Sequence, residues 1–305
     1  MAKIKFREIR MSKTNIIRLS QINSIIEEYQ EEGYVLTLRQ LYYQLVSRDI
    51  IPNKQAEYSK LSTLLKEGRM AGIVDWDAIE DRLRKPDKPS SFDSPQDILE
   101  AAIRQYALPR QEGQPVYIEV WVEKDALSGV LKRVTEKYHI PILVNRGYSS
   151  ASAMFDSFKR FMRAYNDRQY IEVLYLGDFD PSGIDMIRDI KDRIIEFVMG
   201  DLGYETKEEC LEYFPFSVTP IALTREQIRL YNPPPNPAKI TDPRSRDFIK
   251  IHGKTSWEVD ALRPEVLNEL LNQAILQRMD VSLYEEIVDR EDSDRAKLSS
   301  LISHL

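Results

Sequence analysis

The sequence predicts an α/β protein in which a small helical unit precedes a parallel sheet that is covered by helices on both faces. Strand and helix patterns alternate through residues 116–224, and helices between successive strands are typical of parallel connections. Three helical patterns occupy the first 70 residues. The chain has 305 residues, of which 42% are hydrophobic, which is enough for two domains with separate cores.

The N-terminal unit is predicted to contain three helices and a short extended end. Periodic apolar residues indicate helices over residues 16–29, 38–48 and 55–70, with Thr37 as the N-cap of the second. Residues 72–76 predict an extended, hairpin-like end. This order is the outline of a winged helix-turn-helix, whose last helix usually enters a DNA groove.

The third predicted helix carries basic residues at its start and along one side. They are candidates for binding DNA phosphates: Lys54, Lys60, Lys66 and Arg69. The alternative is that they only solvate an exposed helix face, and charge alone favours that alternative.

Proline-rich stretches divide the chain. Three prolines interrupt the polar stretch 85–95, a second break covers 108–115, and five prolines fall within 233–243. We therefore predict a winged-helix domain at 1–95, a linker with a helix at 96–114, a sheet domain at 115–225 and a C-terminal extension that packs on it at 226–305.

Composition restricts the class of protein. A single cysteine, Cys210, and three histidines exclude a disulfide framework and argue against a Cys/His zinc site. The net charge is −6, but residues 1–95 carry +2 and the remainder −8, so the acidic balance does not exclude DNA as a partner of the first unit. No apolar run reaches the roughly 18 residues of a membrane span, and residues 1–13 lack the apolar stretch of a secretory signal. We expect a cytoplasmic protein without a membrane partner.

The second helix contains the first candidate for chemistry. Leu41, Tyr42 and Leu45 follow the spacing of one helix face, which predicts a buried stripe that includes Tyr42. Arg39 and Tyr43 lie four residues apart on a neighbouring face, so Tyr43 is predicted to be exposed beside a cation. Such a pair suits a tyrosine that attacks a phosphodiester. The alternative is a boundary tyrosine that packs against an arginine.

Carboxylates follow two of the predicted strands. The strands are predicted at 116–122, 140–144, 171–176 and 216–223, and the helices between them at 126–138, 150–165 and 184–199. Glu123 follows the first strand, and Asp178 and Asp180 follow the third. Ligands of such sheets bind beyond the carboxyl ends of the strands, so these three carboxylates are predicted to converge there.

Three converging carboxylates repel one another unless a cation lies between them. An all-oxygen set without histidine suits Mg²⁺, which makes Mg²⁺ the predicted cofactor. The alternatives are that Asp180 caps the helix that begins with Pro181 and that Glu123 forms a surface ion pair with Lys124.

Two motifs resemble one known family. Val122-Glu-Lys-Asp-Ala126 and Gly177-Asp-Phe-Asp-Pro-Ser-Gly-Ile-Asp185 resemble the Toprim domain of the topoisomerase VI A subunit and of the related meiotic double-strand-break proteins. Those proteins place an Arg-x-x-x-Tyr element in an upstream winged helix, as Arg39 and Tyr43 do here. The resemblance extends to the loop Asn145-Arg-Gly-Tyr-Ser149 and to Trp257-Glu-Val-Asp-Ala-Leu262. The short chain is most similar to the compact, standalone members called Mini-A.

The resemblance implies a specific reaction. Tyr43 would attack double-stranded DNA and leave a 5′-phosphotyrosyl link, with Arg39 stabilising the transition state. Glu123, Asp178 and Asp180 would hold Mg²⁺, or Glu123 would act as the acid for the leaving group. Family members pair the tyrosine of one chain with the Toprim site of another, which implies a homodimer. The resemblance also makes Arg146 a candidate DNA contact.

The sequence leaves other functions open. Some winged-helix Toprim proteins are hydrolytic nucleases without a catalytic tyrosine, and a non-catalytic DNA-binding regulator could keep the same fold. The sequence also does not decide whether a separate GHKL-type ATPase subunit takes part. Glu258 and Asp260 could support a metal, although ion pairing is the safer interpretation of both.

Overall fold

The computed structural model describes residues 3–80, 91–145, 147–237 and 244–302. Its helices are α1 (Lys13–Glu31), α2 (Leu38–Ser47), α3 (Gln55–Met70), α4 (Pro95–Gln105), α5 (Asp125–Thr135), α6 (Ala151–Asn166), α7 (Pro181–Leu202), α8 (Lys207–Tyr213), α9 (Arg225–Tyr231), α10 (Ser245–His252), α11 (Pro264–Leu276) and α12 (Val281–Ile302). Its strands are β1 (Val116–Val122), β2 (Ile142–Val144), β3 (Tyr170–Leu176), β4 (Phe216–Ala222), β5 (Asn236–Pro237) and β6 (Thr255–Ser256). None of these helices is both long and apolar enough to cross a membrane.

The central sheet confirms the predicted α/β class. Its four strands are all parallel and lie in the order β2-β1-β3-β4. One face packs against α5 and α11 in a core that contains Val120, Leu127 and Leu271. The opposite face packs against α6, α7 and α8 around Trp121 and Phe161. Helices on both faces explain why the strands are almost continuously apolar.

The N-terminal unit contains the three predicted helices. Thr37 caps α2 through a capping box with Gln40, which offsets the unpaired amides of the first turn. The three helices share a core that also includes Ala261 from the C-terminal part of the chain. Between the end of α3 and residue 80, the described chain forms only isolated bridges, one of them between Leu36 and Ile79. The predicted hairpin-like end is therefore absent from described residues 72–80, and its continuation at 81–90 lies outside the described residues.

The C-terminal region contributes to the sheet domain and to the linker helix. Helix α11 lies against α5, and α12 lies against α4. The buried Glu291 of α12 accepts a hydrogen bond from the amide of Leu108 at 2.9 Å and pairs with Arg110 at 2.7 Å. Because that carboxylate has charged and hydrogen-bonded partners, its burial is tolerated.

Helix α7 begins at a tight turn after β3. Asp180 is its N-cap and accepts a 2.7 Å hydrogen bond from the amide of Gly183, and Pro181 occupies the first helical position. A Cβ atom at Gly183 would lie only 2.1 Å from the backbone oxygen of Asp178. The turn that orients Asp178 therefore requires glycine at position 183.

Replacing Gly183 by alanine is expected to lower the free energy of unfolding by about 2 kcal/mol or more, because the backbone at Asp178 must move. Gly200 of the same helix is the matched control, since a Cβ there has no neighbour within 4 Å. Gly200→Ala is expected to stabilise the protein by up to about 1 kcal/mol through helix propensity. Urea unfolding measures both, and equal effects would contradict the proposed close approach.

Candidate functional site

The candidate site lies at the carboxyl ends of β1 and β3. Val122 and Leu176 are paired at the last position of the two strands, so Glu123 and Asp178 emerge side by side. The amide of Asp178 donates a 2.9 Å hydrogen bond to Oε2 of Glu123. The structure thus brings together two of the three carboxylates predicted from the sequence.

A distant segment supplies two further carboxylates. Phe179 and Trp257 form an antiparallel bridge with N–O distances of 2.8 and 3.1 Å. Next to it, the amide of Val259 donates to Oδ1 of Asp178 at 2.8 Å. These contacts place Glu258 and Asp260 beside Asp178, and one carboxylate oxygen from each of the three lies within 4.8 Å of the others. We call Asp178, Glu258 and Asp260 the acidic cluster.

The three predicted metal ligands, Glu123, Asp178 and Asp180, are not the three carboxylates that converge in the structure. Among the described residues, neither Glu123 nor Asp180 belongs to a group of three acidic oxygens within 4.8 Å. Asp180 instead serves as the cap of α7, which was the alternative interpretation of its position before Pro181. The physical reason is that α7 begins directly after Asp180: its backbone is still extended, but its carboxylate is engaged by the amide of Gly183 in the first turn of the helix.

Two cations neutralise much of the acidic cluster. Lys124 Nζ lies 2.7 Å from Asp178 Oδ1, 2.7 Å from Glu258 Oε2 and 2.9 Å from Asp260 Oδ1. Arg39 of α2 pairs with Glu258 and, through Nε at 2.9 Å, with Asp260. The interpretation of Glu258 and Asp260 as ion-pairing residues is therefore confirmed. The network is largely shielded from solvent, since the side chains of Lys124, Asp178 and Asp260 are 16%, 10% and 0% exposed.

The network shifts the pKa values of Asp178 and Glu258 in opposite directions. Burial raises the pKa of Asp178 to about 7, assisted by Glu123 and Asp260, although Lys124 opposes the shift. Burial also disfavours the ionised form of Glu258, but Lys124 and Arg39 outweigh it and lower the pKa of that carboxyl to about 2. Asp178 thus gains a proton more readily than Glu258, which stays ionised at neutral pH.

Tyr43 reaches the same network from α2. Its side chain and that of Glu258 line the same cavity, and the Arg39 guanidinium lies 5.9 Å from its ring centre. The predicted proximity of Arg39 and Tyr43 is therefore confirmed. Both border a cavity of about 290 Å³ between α2, α3 and the C-terminal part, lined by Arg39, Tyr42, Tyr43, Asn53, Gln55, Tyr58, Asn236 and Glu258.

The predicted exposure of Tyr43 is wrong. Its exposed fraction is 4%, similar to the 5% of Tyr42, which had been predicted to be the buried member of the pair. Residues Val259–Ala261 lie against α2, and Ala261 belongs to the same buried cluster as Tyr43. Burial, together with Glu258 and Asp260, raises the pKa of the Tyr43 phenol well above its usual value, and Arg39 only partly opposes this. The phenol is protonated at neutral pH.

The candidate DNA contacts differ in their surroundings. Lys54, Lys60 and Lys66 are exposed, and Lys60 pairs with Glu57 at 2.7 Å. Arg69 instead donates to the carbonyl oxygens of Trp76 and Ile79 at 3.0 and 2.9 Å. It therefore holds the chain after α3, which corrects its prediction as a solvent-facing DNA contact. Arg146 lies outside the described residues.

Lys124 is the residue that sequence reasoning underrated. Its position between Glu123 and Asp125 suggested an ordinary surface charge, yet its side chain is only 16% exposed. One sign of this is present in the sequence, because two downstream carboxylates, Glu258 and Asp260, lie within an apolar segment.

Comparison with protein-family models and with curated proteins finds no match for this chain.

Proposed function

We propose that this chain cleaves double-stranded DNA by Mg²⁺-dependent transesterification, in the manner of a short topoisomerase VI A subunit. The observation that carries the proposal is the meeting of Arg39 and Tyr43 with the acidic cluster at the carboxyl ends of β1 and β3. A nucleophile, a fixed cation and oxygen ligands for a metal are the parts that such a reaction needs. We also propose that residues 1–95 act as a winged-helix domain and 115–225 as a Toprim domain.

In the proposed reaction the Tyr43 oxygen attacks a DNA phosphorus, and the bond from phosphorus to the 3′ oxygen breaks. The products are a 5′-phosphotyrosyl link and a free 3′ hydroxyl, whose oxygen takes up a proton from water as it leaves. The phenol proton passes to water, because Glu258, which lines the same cavity as Tyr43, has a pKa of about 2 and is too weak a base to hold it. Arg39 offers positive charge to the developing negative charge on phosphate.

The residues fit the implied metal in their chemistry. The acidic cluster offers only carboxylate oxygens, which are ligands that Mg²⁺ prefers. The three carboxylates of the cluster face the two cations Lys124 and Arg39, which leaves one negative charge in excess when all three are ionised. We propose that Asp178, Glu258 and Asp260 hold the ion, which when bound would neutralise phosphate charge.

A groove on the helical unit could bring DNA to this site. It has a volume of about 500 Å³, runs between α2, α3 and the start of α5, and has Arg39 and Lys66 among its lining residues. Arg39 and Tyr58 line both this groove and the smaller cavity at Tyr43. Two chains, each cutting one strand, would give a double-strand break. Because Tyr43 meets the acidic cluster of its own chain here, an exchange of tyrosines between chains would require α2 to leave that cluster.

A hydrolytic nuclease is the second candidate, and the burial of Tyr43 favours it. A phenol that is 4% exposed, with a raised pKa, is poorly prepared for attack. In this alternative a water molecule attacks the phosphate, while Tyr43 and Arg39 only hold α2 against the acidic cluster.

Plasmid cleavage distinguishes these candidates. Supercoiled plasmid is incubated with the protein and Mg²⁺, the reaction is stopped with detergent, and cut DNA is separated into protein-linked and free-ended fractions. We expect protein on the 5′ ends and none when a chelator replaces Mg²⁺. Free-ended products would instead support hydrolysis, and the absence of cleavage under all metal conditions would leave a DNA-binding regulator.

A further inference from the structure

Lys124 occupies the position that a cation in the acidic cluster would take. Its ammonium touches one oxygen of each of the three carboxylates at 2.7–2.9 Å. Asp178 Oδ1, which it contacts, also accepts the amide of Val259, so that oxygen is held toward Lys124 by backbone. The ammonium therefore lies in a preorganised ring of acceptors.

Two of the other oxygens of the cluster already have polar neighbours. Asp260 Oδ2 is paired with Arg39 Nε at 2.9 Å, and Glu258 Oε1 lies 3.4 Å from Asn236 Nδ2. Because Lys124 contacts one oxygen of each of the three carboxylates, a divalent ion at the point where they converge competes for those oxygens. If the Lys124 ammonium and a divalent ion shared these oxygens, the two cations would repel each other strongly in this buried site.

We infer that Lys124 is an internal competitor of the divalent cation, and that its side chain must withdraw from Asp178, Glu258 and Asp260 before the ion binds there. This inference rests on the metal site of the proposed function. It assigns Lys124 the role of a positioning residue that holds the carboxylates in place while the metal is absent.

Metal affinity without DNA tests the inference. Titration calorimetry with Mg²⁺ is performed on the full chain and on Lys124→Met, Lys124→Arg and Lys132→Met. Removing the competing charge is expected to tighten Mg²⁺ binding by about tenfold or more, whereas Lys124→Arg keeps the charge and should stay close to wild type. Lys132 lies on the same helix but is exposed, so Lys132→Met controls for the loss of a lysine. Unchanged or weaker binding by Lys124→Met would overturn the inference.

A measurement on the unmodified protein covers the case in which Lys124→Met does not fold. Amine acylation followed by mass spectrometry reports the accessibility of each lysine. Saturating Mg²⁺ is expected to increase the labelling of Lys124 several-fold, because the ammonium leaves its carboxylate partners, while labelling of Lys132 stays constant. Labelling of Lys124 that does not respond to bound metal would also overturn the inference.

The outcomes separate this inference from the proposed function. Protein-linked DNA ends together with unchanged Lys124 labelling would reject the competition and leave transesterification standing. Metal-dependent release of Lys124 with only free-ended DNA would support the competition and reject Tyr43 as the nucleophile. If no variant binds Mg²⁺, both the competition and the metal dependence of cleavage are rejected.

Discussion

Tyr43→Phe is expected to reduce protein-linked DNA ends by at least about 10³-fold, because it removes the atom that would bond to phosphorus. The substitution keeps the ring that packs against Tyr42 at 5.3 Å between centres. It removes only the hydroxyl, so the cost in folding free energy should be no more than about 1 kcal/mol. The loss of activity should therefore greatly exceed the loss of stability.

Tyr42→Phe is the matched control for this prediction. Tyr42 is an adjacent tyrosine of similar burial, and its hydroxyl hydrogen-bonds with Asn53 at 3.0 Å. Its removal should cost a similar amount of stability but leave protein-linked ends detectable. Protein-linked ends that persist in Tyr43→Phe would show that another residue is the nucleophile. Free-ended cleavage of equal rate in wild type and Tyr43→Phe would instead establish hydrolysis.

Local signals account for the part of the fold that the sequence predicts well. The apolar period and flanking residues of α3 give its bounds, Gln55–Met70, without error, and the apolar run Val116–Val122 marks β1 in the same way. Thr37 is a cap because its side chain can satisfy an amide three residues away. Each of these features is determined by residues within one element or its immediate flank.

The burial of Tyr43 could not be predicted in this way. Periodicity within α2 shows which residues share a face, but it does not show how many faces are covered. The second covering surface comes from residues near Glu258, which lies 219 positions after Arg39 in the chain. The neighbouring face of α2 is therefore buried by a contact whose partner leaves no mark on the helix pattern itself.

The members of the acidic cluster could not all be predicted for the same reason, because the cluster depends on contacts between segments that are distant in the chain. The sequence placed Glu123 and Asp178 at one edge because parallel strands end together, and that part of the site holds. The bridge between Phe179 and Trp257 then selects Asp260 in place of Asp180. Two-residue bridges have no sequence period, so only the three-dimensional structure reveals which downstream carboxylates join.

Asp178 is expected to make the protein less stable as pH rises from about 4 to about 7 when a chelator is present. Its carboxyl has a pKa of 3.8 in the reference state and about 7 in the folded protein, so the folded state keeps a proton that the unfolded state loses. The stability that this proton provides is complete below pH 4 and disappears as pH rises through 7. The total loss is at most about 4 kcal/mol.

Glu258 should act in the opposite direction and in a different pH range. Its pKa is about 2 in the folded protein against 4.5 in the reference state. The ionised carboxylate, held by Lys124 and Arg39, therefore contributes stability above about pH 4.5, which is lost as pH falls toward 2. The two groups together should give a stability maximum at about pH 4–5, where Asp178 is still protonated and Glu258 is already ionised.

Urea unfolding of wild type and Asp178→Asn at a series of pH values separates these contributions. Asparagine does not titrate, so the decline between pH 4 and 7 should be greatly reduced in the variant, while the loss below pH 4.5 due to Glu258 remains. Asp289→Asn, on the exposed side of α12, controls for the change in net charge. If wild type and Asp178→Asn change in parallel from pH 4 to 8, then Asp178 does not hold its proton in the folded protein. Asp178 would in that case be ionised at neutral pH, and the acidic cluster would attract a divalent cation more strongly.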